Sequence, residues 1–409
     1  MTPGARAQTA IEILDQVLTG APAEQSLTAW ARRSRFAGSG DRAAVRDHVF
    51  DALRCLRSCA AAGGQPTSGL AEDPATSGRA LILGLMRLSG EDPDRIFTGE
   101  GYAPPPLTDA ERAGGASTLD ALSPEDQRDL PDWLWPLFRD SLGDDAEAAA
   151  RALRQRAQVH LRVNTRKTDR AGAIARLAGD GIEAEPHPAA DTALRVTEGA
   201  RRIRNAAAFT DGLVELQDAA SQAVCAALPL SDGLRVLDYC AGGGGKTLAM
   251  AGRANLKLFA HDADPRRMRD LPKRAARAGV EVTCLESADL AAAGPFDLVL
   301  CDAPCSGSGA WRRSPEAKWR LTPDRLEKLQ ATQSEILCDA ANLVARGGHL
   351  AYATCSVLSA ENNNKVHEFV EENFDWKINF SRSWGLIASD GTPDSASADG
   401  FHLSTVEYC

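Results

Sequence analysis

Leu234–Thr247 reads LRVLDYCAGGGGKT. A short apolar run ends near an acid, four glycines follow in succession, and a helical stretch opens at Lys246 and Thr247. A strand running into a glycine turn and then a helix is the opening unit of a doubly wound α/β sheet. The same rhythm returns in LKLFAHD (256–262), VTCLES (282–287), FDLVLCDAP (296–304) and HLAYATC (349–355). Five such runs predict a parallel, doubly wound, Rossmann-like sheet. Ligands of such sheets sit beyond the carboxyl ends of the strands. Those ends carry Asp238, Asp262, Asp289, Asp302 and Cys355.

The glycine loop excludes two common nucleotide sites. A phosphate-binding P-loop needs glycine five positions before the Gly245-Lys246 pair, where this chain has Cys240. A dinucleotide loop needs a third glycine at 247, which is threonine. S-adenosylmethionine remains. Its carboxylate and amine need close backbone approach, which Cys240, Ala241, Gly242, Gly243, Gly244, Gly245 and Lys246 offer. Its ribose diol needs an acid after the second strand, where Asp262 stands, and Asp289 after the third strand is placed to face the adenine amine. A merely flexible turn would explain the glycines but not the acids.

Upstream of this region the pattern changes twice. Val45, Val49, Ala52, Leu53 and Leu56 recur at three and four, one face of a helix, and AIEILDQVL and RALILGLMRL behave likewise. GGQPTSGLAEDPATSG and GYAPPPL are loops by composition. The expected division is an all-α domain at 1–145, a small α+β unit at 146–215 and the Rossmann-like domain at 216–409. The middle unit rests on VHLRVNT, IEAEPHP and TALRVTEG as strands around the helix DRAGAIARLAGDG. DAASQAVCAAL then begins a helix with Asp218 near its cap.

The 409 residues carry a net charge of −10, against a protein that coats nucleic acid by charge alone. The positive charge is clustered, however. Arg151–Arg170 holds seven bases and one acid, RRIR at 201–204 adds three, and WRRSPEAKWR at 311–320 has four bases against Glu316. Each cluster alone fits a solvated face; three in an acidic chain point to a polyanion. No apolar stretch approaches the ~20 residues of a membrane span, and the first ten residues lack a secretory core. A cytoplasmic monomer without metal is expected. Ten cysteines include no CxxC pair, so neither a zinc site nor a disulfide scaffold is indicated.

Two cysteines have a special setting. Cys305 in DAPCSGSG and Cys355 in ATCS lie just past apolar strands, at the ligand edge, whereas Cys301 lies inside one and reads as core. Methylating an exocyclic amine needs no thiol, since nitrogen already has a lone pair. Carbon 5 of a pyrimidine has none, and becomes nucleophilic only after something adds at carbon 6. A thiolate is suited to that addition and to later expulsion, while a carboxyl group polarises N3. Which cysteine attacks is not decided by the residues alone.

DYCAGGGGKT, DAPCSGSG and ATCS together resemble the Nop/Sun-type RNA (cytosine-5)-methyltransferases, as do LRVNT, LQDAASQ, LQATQSEIL, LSAENNNKV and DGFHLS. The resemblance covers roughly 150–409, and SGDRAAVRDHVFDALR resembles the NusB antitermination-factor domain. It implies that Cys355 attacks C6, that Cys305 releases methylated RNA, and that Asp302 contacts the base beside the cofactor. The loop from Cys240 to Lys246, with Asp262 and Asp289, is implied as the S-adenosylmethionine site. It also implies an RNA substrate, 16S ribosomal RNA above all, with tRNA as the alternative. One departure stands out: the family loop reads Cys-Ala-Ala-Pro-Gly-Gly-Lys-Thr, and here Gly242 and Gly243 replace alanine and proline. The extra freedom predicts weaker cofactor binding or a looser free loop.

An RNA substrate must present an unstacked cytosine. The basic unit, with Arg162, Asn164, Arg166 and Lys167, is expected to hold the backbone, and Arg312 and Arg313 to add contacts. Trp311 and Trp319 are expected either to stack on bases or to pack in a core. A DNA cytosine-5 methyltransferase is a poorer fit because those enzymes lack the Thr-Cys partner. A non-catalytic ribosome-assembly factor fits poorly with both thiols and all the acids retained.

Overall fold

A computed structural model describes residues 1–68, 76–386 and 398–409. The chain forms two compact units. One holds Met1–Arg139, Ala146–Arg156 and Trp311–Leu321; the other holds Asp140–Asp145, Ala157–Ala310 and Thr322–Cys409.

The first unit is helical. α1 (Pro3–Leu18), α2 (Ala23–Arg33), α3 (Ser39–Arg54), α4 (Leu56–Ala62) and α5 (Gly78–Ser89) enclose one apolar core. The predicted stripe is that core's wall, although the chain breaks at Cys55 between α3 and α4: Val45, Val49, Ala52 and Leu53 on α3 and Leu56 at the start of α4 are all buried. Trp311–Leu321 completes the unit. Trp311 is 1% exposed and stacks on Phe138. Trp319 packs against the core and donates from Nε1 to Leu53 O at 2.8 Å.

Three charges of this segment serve helix ends. Lys318 Nζ donates to Arg54 O at 3.0 Å, at the last residue of α3, and Arg320 Nη2 to Ala21 O at 2.7 Å, just beyond α1. Glu316 accepts from Ala23 N at 3.0 Å, at the start of α2. Cations at carbonyl ends and an acid at an amide end match both the orphan groups and the dipoles of those helices. Of the two tryptophan expectations, core packing is the one observed.

The second unit contains two sheets. β1 (Val159–Val163), β2 (Glu183–Pro186), β3 (Ala193–Glu198) and β4 (Val214–Leu216) form an antiparallel sheet in the order β2-β3-β1-β4. The larger sheet comprises β5 (Arg235–Asp238), β6 (Lys257–Ala260), β7 (Thr283–Cys284), β8 (Phe296–Asp302), β9 (Val344–Thr354), β10 (Trp376–Trp384) and β11 (Phe401–Tyr408). Its order is β10-β11-β9-β8-β5-β6-β7.

The five predicted runs are β5 to β9, mutually parallel. Both faces are covered: Leu298 and Leu300 enter one apolar cluster, Val299 and Cys301 the other. The sheet differs from the expected all-parallel form at one end, where β11 runs antiparallel to both β9 and β10. In the sequence, FHLSTVEY hides this because polar His402, Ser404 and Thr405 are buried. They pair among side chains: His402 Nε2 lies 2.8 Å from Ser404 Oγ, and Thr405 Oγ1 donates to Asn379 at 2.6 Å.

Strand order reverses between β5 and β8, which makes the cleft there the natural ligand site. The loop after β5 is the glycine loop and the loop after β8 is DAPCSGSG. In the β8–β9 register Asp302 faces Ala353, so Cys355 follows two residues past the acid's partner.

Candidate active site

The glycine loop is held from several sides. Ala241 N donates to His261 O at 2.8 Å, and Gly242 N to Asp262 Oδ2 at 2.9 Å. Gly242 has φ +51 and Gly244 φ +77. A Cβ on Gly244 would stand 2.1 Å from Leu271 Cδ1, so only glycine fits there. Arg162, 5% exposed, donates to Gly245 O at 2.7 Å. Arg274 reaches Gly243 O. Burial brings the Arg162 guanidinium down to about 10.

Asp262 lies two residues past the end of β6, 3% exposed, and also pairs with Arg267 at 3.1 Å. Asp289 lies past β7 on an exposed turn of 3₁₀ helix. Asp238 is buried, and its Oδ2 accepts from Thr247 at 2.6 Å while Oδ1 has no partner. Burial pushes its carboxyl up to about 7. An orphaned acceptor under a glycine loop, with an acid at the next strand end, fits a ligand carrying ammonium and diol groups. The residues present therefore suit S-adenosylmethionine.

Lys246 connects this loop to the thiol side. Its Nζ lies 2.7 Å from Asp302 Oδ2, and 5.0 Å from the centre of the Phe401 ring on β11. Burial pulls the ammonium down, but Asp302 and the nearby thiols outweigh it, so its pKa stands above the ordinary value. Lys246 thus stays charged beside the acid expected to meet the base.

Cys305 and Cys355 come together: their Sγ atoms are 3.4 Å apart. The hydrogen bond to Cys355, then burial, pushes the Cys305 thiol well above its usual range. Behind the pair lies Glu361, fully buried. Its carboxyl group accepts from Ser306 N at 2.7 Å, Ser306 Oγ, Ser356 Oγ at 2.6 Å and Gln333 Nε2 at 3.1 Å. Ser306 follows one cysteine and Ser356 the other, so one side chain joins both loops. Gln333 also donates to Pro304 O at 2.9 Å, and Asn362 Nδ2 to Ser356 O at 3.0 Å.

Sequence reasoning gave no role to Glu361, Gln333 or Asn362. The available signal was the density of polar residues in LQATQSEIL and LSAENNNKV, on segments that otherwise read as amphipathic.

The basic residues divide by exposure. Asn164 is buried and donates to Gly212 O and Ala278 O, both at 2.9 Å, bracing the small sheet against the larger one. With Arg162 it forms internal scaffolding at the loop. Arg312 is 3% exposed. Arg166, Lys167 and Arg313 are exposed, although Lys167 Nζ also donates to Asp211 O at 2.8 Å and Arg277 O at 2.7 Å. Among the described residues no acid, His or Cys cluster is arranged to hold a metal, and no helix is long and apolar enough to cross a membrane.

Residues 225–406 match the family described as 16S rRNA methyltransferase RsmB/F, and residues 130–201 match its ferredoxin-like domain. The ribosomal RNA small subunit methyltransferase B of Salmonella arizonae is 30% identical over 290 residues, covering 69% of this chain and 67% of that protein. The chain belongs to the RsmB/F family. The probable ribosomal RNA small subunit methyltransferase B of Bacillus subtilis is 34% identical over 260 residues, 61% of this chain. This match spans under three fifths of the Bacillus protein's length, 58%. Among solved structures, PH0851 has the same fold, with TM-score 0.74 and 23% identity across 100% of this chain and 99% of that one.

Proposed function

We propose that the chain methylates carbon 5 of a cytosine in RNA, small-subunit ribosomal RNA foremost, with S-adenosylmethionine as methyl donor. The observation that carries this reading is the thiol pair, 3.4 Å apart, at the sheet edge that also presents Asp302 and Lys246. Membership of the RsmB/F family supports it.

The loop from Cys240 to Lys246, with Asp262 and Asp289, would hold the cofactor, which supplies an electrophilic methyl group. Cys355 sulfur adds to C6 of the cytosine as a proton passes from Asp302 to N3, neutralising the negative charge that the addition builds there; the proton returns when the adduct breaks. C5 becomes electron-rich and accepts the methyl group. The C5 proton then leaves to a base, and the C6–S bond breaks as the ring regains aromaticity. The roles of attack for Cys355 and release for Cys305 follow the family resemblance. A thiol held protonated beside the attacking sulfur suits a group that works after the adduct has formed. Exposed Arg166, Lys167 and Arg313 are the proposed backbone contacts, while Arg162, Asn164 and Arg312 act from within.

The test is trapping. Cys305→Ala, mixed with small-subunit ribosomal RNA and S-adenosylmethionine, is expected to give a denaturation-resistant protein–RNA adduct. Cys355→Ala and the double variant are expected to give none. An adduct formed by Cys355→Ala would overturn the assignment.

A further inference from the structure

The helical unit contains a cavity of about 650 Å³ whose lining residues all belong to that unit. Its walls include Trp30, Phe36 and Tyr102, with Gln8, Glu12 and Glu100 among the polar groups. Phe36 and Tyr102 are 77% and 85% exposed, unusual for large aromatic side chains. Arg32, Arg33 and Arg35 lie within five residues of Trp30, all exposed, and none has an ion pair among the described residues. Arg33 follows Trp30 by one helical turn on α2, and Arg35 adjoins Phe36 in the chain, so the cations are sequence neighbours of two aromatic wall residues.

We propose that this cavity binds an unpaired nucleotide of RNA, with its base between the aromatic side chains and its phosphates on the three arginines. The proposal rests on reading the chain as an RNA-acting enzyme. Three features choose the ligand. Aromatic walls offer stacking surfaces that any base can use. The three exposed arginines next to Trp30 and Phe36 in the chain attract a polyanion and repel a basic peptide. Glu12 and Glu100 disfavour a phosphate or an acidic side chain inside, yet they accept hydrogen bonds from an exocyclic amine. The charge order therefore fits a nucleotide whose anionic part stays outside and whose amine-bearing edge goes in. Adenine, cytosine and guanine carry that amine and uracil does not, so oligo(A) and oligo(C) should bind more tightly than oligo(U).

The experiment uses the full chain and a photo-crosslinkable small-subunit ribosomal RNA fragment. Cross-links are expected on the peptides containing Trp30–Phe36 and Tyr102. Phe36→Ala/Tyr102→Ala, which alters only exposed side chains, should lose those cross-links and bind about 10-fold more weakly. Arg32→Gln/Arg33→Gln/Arg35→Gln should flatten the salt dependence of binding by up to about three counterions. If the aromatic double variant binds RNA as tightly as the unaltered chain, the proposal is refuted, and the face is then a protein-docking surface or plain exterior. If that variant binds normally while the unaltered chain methylates RNA, only this inference falls. Failure of the unaltered chain to bind RNA removes both.

Discussion

Glu361→Ala removes the one acceptor common to both thiol loops. The two serine hydroxyls can turn to each other and to Ser308, whose Oγ is 2.9 Å from Ser356 Oγ. Gln333 keeps its bond to Pro304. Ser306 N loses its 2.7 Å bond to the carboxylate, at a cost of about 1–3 kcal/mol. The vacated volume adds about 1–2 kcal/mol. Glu361→Gln retains one oxygen for Ser306 N and the shape of the side chain, and should cost about 1 kcal/mol.

The functional effect is expected to exceed the loss of stability, because a displacement of about 1 Å between reacting groups can lower a rate about 100-fold. Methyl transfer from labelled S-adenosylmethionine should show kcat down about 100-fold for Glu361→Ala and less than about 10-fold for Glu361→Gln. Cofactor affinity should hold in both. The two sulfurs supply an internal ruler. They need move only from 3.4 Å to the ~2.05 Å of a disulfide, so diamide should cross-link them quickly in the unaltered chain and slowly in Glu361→Ala. Unaltered kcat together with unaltered cross-linking in Glu361→Ala would refute the reasoning.

Gly243→Ala should tighten S-adenosylmethionine binding about 2- to 5-fold by calorimetry, since the added Cβ meets only the end of Arg274 at 3.0 Å and the free loop loses entropy. Gly242→Ala should weaken it, because φ +51 disfavours a side chain. Burial raises the Asp238 pKa to about 7 from 3.8, so the stability tied to its protonated form is full below about 3.8 and is lost as pH rises through about 7. Asp238→Asn should therefore raise the melting temperature more at pH 8 than at pH 5, read by scanning fluorimetry. A fragment of residues 1–156 should melt lower than the same unit in the full chain, and a peptide of residues 311–321 added in trans should raise its melting point; Trp311→Ala in that peptide should remove about 3–5 kcal/mol of the effect.

The parallel part of the fold was legible because β5, β6, β8 and β9 are apolar on both faces and stop at acids or thiols. The placement of Cys305 and Cys355 at one edge was legible too, since both lie past strand ends; their approach to 3.4 Å was not, because it depends on β8 and β9 being neighbours. β10 and β11 were not. Their inward side chains include His402 and Ser404, whose polarity is satisfied laterally and so mimics a solvated tail. The role of Arg162 was also concealed. A basic residue in a basic stretch reads as a surface cation, and only tertiary structure shows its guanidinium on Gly245 O. Lys318 and Arg320 in WRRSPEAKWR were concealed for a related reason: cations that cap helices and cations that meet phosphates have the same composition.

Synthesis of the chain acquires an order of events from the placement of Trp311–Leu321. The helical unit has most of its residues once Arg156 is made, but 165 further residues must be added before Leu321 exists. At about 5–20 residues per second, the nascent unit waits roughly 10–30 s with the carbonyls of Leu53 and Arg54 uncapped and the seat of Trp319 open. Over that interval it is a natural client for a chaperone. The element that closes it arrives directly behind Cys305, so maturation of the helical unit finishes only as the thiol loop is being laid down.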